Sequence, residues 1–176
     1  MLRIPFRVIP PGVDEHVLPG EKPDAYVTRL SRAKAQAVVA RAPGEVILAA
    51  DTTVVLGGKI FEKPTSPTNA VEMLEQLQGK THDVLTAVAV AENGRLEQAL
   101  DVSRVTFRPN SRTTLEAYVA TGEPLDKAGA YAIQGAGSAL VAGYEGSYSN
   151  VVGLPLEETA RLLAAFGVAV NEPPAR

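Results

Sequence analysis

The sequence predicts an α+β or mixed α/β fold, on three observations. Segments with apolar residues at helical spacing are interspersed with strand-length runs, without a regular βαβ repeat. Gly57-Gly58 and Asn93-Gly94 each lie between two such runs, as in tight hairpins whose turn residues need positive φ. Hairpins of this kind require antiparallel pairing.

Taken in order, Phe6-Arg7-Val8-Ile9 alternates and is closed by Pro10-Pro11-Gly12, which predicts a short strand ended by a rigid turn. Lys22-Pro23-Asp24 opens an alanine-rich helix to about Ala42. Val27, Leu30, Lys34 and Val38 form one row of that helix. Lys34 is thereby placed among inward-facing residues, either as a snorkelling lysine or with a buried partner. Val46 to Ala50 is continuously apolar, as in a strand covered on both faces. Thr53–Leu56 and Lys59–Phe61 flank Gly57-Gly58 as a hairpin, which puts Asp51 and Thr52 at the junction between strands.

Ser66-Pro67 starts a helix with a stripe of Ala70, Met73, Leu74 and Leu77, ended by Gly79. Thr81 to Phe107 has period two, giving two long strands about Asn93-Gly94. Ser111 caps a helix carrying Leu115, Tyr118 and Val119, stopped by Gly122. Ser138 to Ala142 reads as a strand, and Pro155 to Phe166 as an amphipathic helix ended by Gly167. One domain over 1–170 with a frayed tail over 171–176 is the simplest partition.

The chain has 176 residues, enough for a sizeable core, and is 45% hydrophobic and 21% charged. A net charge of −3 and 5% aromatic residues give no basic footprint and few stacking platforms, so extended nucleic acid is not an expected partner. Without cysteine, thiolate catalysis and zinc–thiolate sites are excluded, and two histidines do not make a histidine metal site. The longest apolar runs fall short of the ~20 residues of a membrane span, and the start lacks the pattern of a secretory signal. A cytoplasmic protein without a membrane partner is the expectation. Gly135-Ala136-Gly137 does not complete a dinucleotide fingerprint, no Walker A motif follows Gly57-Gly58-Lys59, and no nucleophile elbow is present.

Two stretches set charged or amide groups among small and apolar residues: Ala50-Asp51-Thr52-Thr53 on to Glu62-Lys63-Pro64, and Asp126-Lys127 on to Gln134-Gly135. Such groups need partners, and a phosphate-bearing ligand would supply them. Mg²⁺ needs one or two carboxylates, so Asp51 and Glu15 would suffice, while Lys34, Lys63 and Lys127 could meet phosphates. Each residue also has a plain structural explanation. Asp51 could bond turn N–H groups, Glu15 could be a solvated loop acid, and Lys63 an exposed lysine. Lys127 could balance Asp126, and Gln134 could cap a turn.

In order along the chain, Val13-Asp14-Glu15, Lys34-Ala35, Ala50-Asp51-Thr52 and Glu62-Lys63-Pro64 are followed by Gly79-Lys80-Thr81-His82-Asp83-Val84-Leu85-Thr86 and Tyr118-Val119-Ala120-Thr121-Gly122-Glu123-Pro124. Val105-Thr106-Phe107 between these last two, then Asp126 to Gly135 and Asn150-Val151-Val152-Gly153-Leu154-Pro155-Leu156, complete the series. Together they resemble the Maf family of nucleoside triphosphate pyrophosphatases. The resemblance implies a mixed twisted sheet flanked by helices about a central cleft, similar to inosine triphosphate pyrophosphatases, and often a homodimer. It implies Mg²⁺- or Mn²⁺-dependent cleavage of a nucleoside triphosphate into the monophosphate and pyrophosphate. By position, Asp51 matches the proton acceptor, with Glu15, Lys34 and Lys63 in the phosphate and metal region. Thr52 and Gln134 match positions of base choice, in the version of the branch acting on dTTP and UTP.

Family members usually begin with a strand and a Ser-Pro-Arg-Arg-type turn upstream of the segment matching Phe6-Arg7-Val8, and an in-frame upstream extension encoding them is the expectation. Two other functions stay open: a house-cleaning hydrolase of other noncanonical nucleotides, and a non-catalytic nucleotide-binding regulator of septum formation.

Overall fold

A computed structural model describes residues 2–170, so the expected tail over 171–176 lies outside the described residues. Helix α1 (Pro23–Val39) begins with Pro23 at its first turn, where a missing N–H leaves no bond unmade. Strand β1 (Ile47–Leu56) turns through Gly57-Gly58 into the short β2 (Lys59–Phe61). Helix α2 (Pro67–Leu77) is capped by Ser66, whose side chain accepts from the N–H of Asn69. Strands β3 (Thr81–Glu92) and β4 (Arg95–Phe107) pair along their length about Asn93-Gly94, as the period and the turn predict. Helix α3 (Arg112–Val119), β5 (Val141–Glu145), α4 (Tyr148–Val152) and α5 (Leu156–Ala165) complete the order.

The mixed α/β class holds, and the sheet runs β2-β1-β3-β4-β5. Every pairing among the described residues is antiparallel, where the family likeness suggests a mixed sheet; short hairpins link β1 to β2 and β3 to β4 and fix their directions. Helix α1 covers one face through Tyr26, Val27 and Leu30 on Val55, Leu85 and Ala87. On the other face α5 sets Leu162, Leu163 and Phe166 against Val88 and Val90. Helices α2 and α3 close the remainder of that face around Val84, Val105 and Phe107. With both faces covered, β3 is buried almost continuously rather than at every second residue.

Several expectations are corrected. No strand forms over Phe6–Ile9, and Phe6 is 84% exposed; alternation alone does not pair a segment with a strand. The first helix ends at Val39 rather than Ala42, because the chain turns at Ala40 with Arg41 N–H bonded to the Val38 carbonyl. The run Val46–Ala50 is not covered on both sides, and Leu48 is 39% exposed. β2 pairs only with Val54–Leu56, so the rest of β1 has β3 as its one neighbour among the described pairings. Asp51 and Thr52 lie inside β1, not at a junction, since β3 pairs with β1 from Ile47 through Val55.

The strand expected over Ser138–Ala142 begins only at Val141, after a 3-10 segment over Gly135–Leu140. There the Glu123 carboxylate accepts from the N–H groups of Ala136 and Gly137 at 3.1 and 3.0 Å, which withdraws them from any ladder. Helix α4 lies where the sequence predicts no element. It starts on Ser147, whose side chain accepts from the Asn150 N–H, and stops at Gly153 with φ 110°.

Candidate active site

Asp51 and Thr52 point to opposite faces of β1, as consecutive strand residues must. Because the pairing of β2 with β1 stops at Val54, opposite Phe61, this stretch of β1 is an open sheet edge among the described residues, and a cleft wraps around it. One lobe, about 240 Å³, is bounded by Asp51, Thr52, Lys127 and Tyr131 and by α4 residues on the far face. The other, about 440 Å³, is bounded by Glu15, Tyr26, Thr53 and Glu62. Both lobes share Asp51, Thr52, Lys63 and Ala128.

Lys34 leaves α1 on the row with Val27 and Leu30, which are fully buried. Its Nζ meets Asp51 Oδ1 at 2.6 Å and Glu15 Oε1 at 2.8 Å. Glu15 comes from an irregular segment that α1 anchors. The Tyr26 hydroxyl donates to the Glu15 carbonyl at 2.9 Å, and Arg29 Nη2 donates to the His16 carbonyl at 3.0 Å. Lys63, just past β2, reaches Glu15 Oε2 at 3.3 Å and is 58% exposed along its side chain. Two carboxylates and two ammonium groups thus alternate through direct contacts.

Burial dominates at Asp51, which is 8% exposed, and pushes its carboxyl above the usual aspartate range; Lys34 offsets this only in part and the charge of Glu15 adds to it. At Lys34 burial acts to lower the pKa, but two carboxylates outweigh it and hold the ammonium charged. Burial also acts on Glu15, yet Lys34 and Lys63 together keep its carboxyl below the ordinary range. One acid is thereby a stronger base than the other, by environment alone.

Lys127 lines the first lobe and bonds Asp126 at 2.5 Å. Its loop rests on β1 at Gly129, where φ is +69° and an added Cβ would lie 2.8 Å from the Val54 side chain. Gly129 N–H donates to the Glu62 carbonyl at 3.2 Å, which ties the Lys127 loop to the Lys63 segment. The structure therefore brings Asp51, Thr52, Glu15, Lys34, Lys63 and Lys127 to one cleft. It does not bring Gln134 there. Gln134 is exposed and bounds neither lobe, because the loop turns outward into the 3-10 segment after buried Ile133.

Residues outside the sequence-derived set also shape the site. Tyr131 walls the first lobe while its hydroxyl meets His82 Nε2 at 2.8 Å. Thr86 contacts Thr52 Oγ1 at 2.8 Å from β3. The facing of Thr52 with Thr86 was not legible, since β2 and α2 separate β1 from β3 in the chain and a pattern leaves the register of such a pair open.

The fold and this cleft define a mixed α/β protein with a charged site at a sheet edge. Residues 1–166 match the family model described as Maf-like protein, and the chain belongs to the Maf family. It is 54% identical over 168 residues to a dTTP/UTP pyrophosphatase of Myxococcus xanthus, covering 95% of this chain and 85% of that one. Similar proteins with the same name occur in Pectobacterium atrosepticum, at 51% identity over 94% of this chain and 84% of the relative, and in Moorella thermoacetica, at 51% over 96% and 88%.

Proposed function

We propose that this protein hydrolyses dTTP and UTP to the nucleoside monophosphate and pyrophosphate. Relatives of that name at about half identity support the reaction. The observation that carries the residue assignment is the Lys34 ammonium held at 2.6 and 2.8 Å between the carboxylates of Asp51 and Glu15 on the wall of an open cleft.

In this reading Asp51 accepts the proton of a water that attacks the α-phosphorus, as the bond from that phosphorus to the α–β bridging oxygen breaks. Its raised affinity for protons suits that role, since a general base works best with a pKa nearer the operating pH. Lys34, Lys63 and Lys127 meet the phosphate oxygens, and in doing so Lys34 and Lys63 exchange their carboxylate contacts for the substrate. Thr52 contacts the nucleoside side of the ligand.

Asp51 and Glu15 converge on one point, the Lys34 Nζ, and two carboxylates beside an open cleft fit a Mg²⁺ or Mn²⁺ ion that completes its shell with water and phosphate. Among the described residues no cluster of three or more histidine, cysteine or acidic side chains is built to hold a metal alone. Such an ion supplies neutralisation of phosphate charge when bound with substrate. No helix among the described residues is long and apolar enough to cross a membrane. We place the protein in the cytoplasm with its nucleotide substrates, and a homodimer belongs to the same reading. Pyrophosphate release from a panel of canonical and methylated triphosphates with Mg²⁺ tests the reaction. Turnover led by dTTP and UTP is expected; no turnover of either would refute it.

A further inference from the structure

Thr52 reaches the cleft from the face opposite Asp51, and its hydroxyl is tied down from behind. Thr52 and Thr86 face each other across β1 and β3, with Oγ1 atoms 2.8 Å apart. Thr86 is completely buried, and its hydroxyl donates to the Asn150 carbonyl at 3.0 Å. A hydroxyl has one hydrogen, and a carbonyl cannot donate. Thr86 Oγ1 can therefore only accept from Thr52, whose own hydrogen is committed to Thr86 and whose two lone pairs are left to accept in the cleft that Thr52 lines.

The far end of this relay is fixed. Asn150 is fully buried, and its Nδ2 donates to the Val84 carbonyl at 3.0 Å and to Ser103 Oγ at 2.9 Å. Ser103 Oγ in turn donates to the Ser147 carbonyl at 3.1 Å and accepts from the Ser147 N–H at 3.0 Å. Nothing in the chain is free to reverse direction. On the cleft wall, a Cβ at Gly153 would lie 3.4 Å from Thr52 Oγ1, so glycine there leaves the oxygen uncovered.

We propose that Thr86 is a positioning residue that makes Thr52 an obligate hydrogen-bond acceptor, so that the site selects a nucleotide presenting an N–H or O–H donor at that point. The inference rests on the hydrolytic reading and adds the direction of recognition to it. Two groups of dTTP carry such a donor: the imide N3–H of the base and the 3′-hydroxyl of the sugar. Cytosine has a bare acceptor at N3, and a 3′-O-methyl ether has one at the sugar.

The test compares kcat/KM for dTTP, dCTP and 3′-O-methyl-dTTP in the unaltered chain, Thr86→Val and Thr86→Ser. In Thr86→Val the Thr52 hydroxyl is free to donate. The preference for dTTP over one of the two acceptor-only analogues is then expected to shrink about 10-fold, through KM, as one hydrogen bond allows. The analogue that gains identifies the donor as base or sugar. Thr86→Ser, which keeps the hydroxyl, is expected to keep the original preference. Unchanged ratios for both analogues in Thr86→Val overturn the inference. If that variant does not fold, Thr52→Val replaces it: dTTP is expected to lose about 10-fold while the relevant analogue does not, and equal losses overturn the inference. Absence of turnover by the unaltered chain overturns the hydrolytic reading instead, and the same ratios are then read as equilibrium binding.

Discussion

Asp51 can act as a base only when ionised, and its surroundings oppose that state. Its folded pKa is raised, mainly by burial, so the folded protein holds this proton to a higher pH than the unfolded chain does. Stability from this group is present below the unfolded value and is lost as the pH rises through the folded one. Asp51→Asn removes that penalty while keeping size and shape. The expected outcome is a turnover lowered by about 10²–10⁴-fold with a Tm at pH 7 no lower than that of the parent, measured by pyrophosphate release and thermal melting. Lys34 is the opposite case, because its removal leaves two carboxylates facing each other without the ammonium that both contact. Lys34→Met is expected to lower stability by about 3 kcal/mol in urea titration, since an uncompensated buried charge remains.

At the scale of elements, the site depends on how closely the Lys127 loop lies against β1. Gly129 permits that approach through its positive φ and through the space that the Val54 side chain fills. Gly129→Ala is expected to push Lys127 and Ala128 away from Asp51, raising KM for the triphosphate at least about 10-fold, as a single lost charge-assisted bond would. Unchanged KM in steady-state assays would refute the claim that this contact sets the cleft width. The helices and hairpins around the site were legible because each carries local signals: Ser66 before Pro67, Asn93-Gly94, and the row Val27, Leu30, Lys34. Their counterparts in the structure agree within a few residues. The elements that failed to appear, or appeared displaced, are those decided by partners distant in sequence. Phe6–Ile9 pairs with no strand, and Ala136 and Gly137 give their N–H groups to Glu123 rather than to a strand. Residue chemistry made Asp51, Glu15 and Lys34 candidates for one phosphate and metal site, and the family likeness gave them their roles, since no periodicity brings an irregular segment, a helix and a strand to one point. Gln134 took its base-choice role from the same likeness, and its loop carries it outside the cleft lining.

For the molecule as a whole, acid stability runs through His82. It is 2% exposed, set edge-on against Phe107 and Tyr131, and its Nδ1 has no partner. Burial pushes its pKa from the ordinary 6.5 down to about 4. Between those values the unfolded chain binds more protons than the folded one, so this stability is fully present above about 6.5 and lost as the pH falls through about 4. The loss amounts to about 3 kcal/mol at ~1.4 kcal/mol per unit. Denaturant titrations across this window are expected to show a shallower acid slope in His82→Phe than in the parent. The same core holds the sheet on which the cleft depends, and one property of that sheet has a further effect. Asp51 and Thr52 are consecutive in β1, yet the proposed function gives one to proton transfer and the other to nucleoside selection, on opposite sides of a ribbon one residue thick. A slip of β1 by a single step against β3 would exchange the two, giving the acid to the base-reading wall and the hydroxyl to the phosphates. On that proposal the nine matched positions from Ile47 to Val55 act as a ratchet on substrate orientation, and a one-residue insertion within β1 between Ile47 and Asp51 would turn the nucleotide's chemistry away from the bond to be cut.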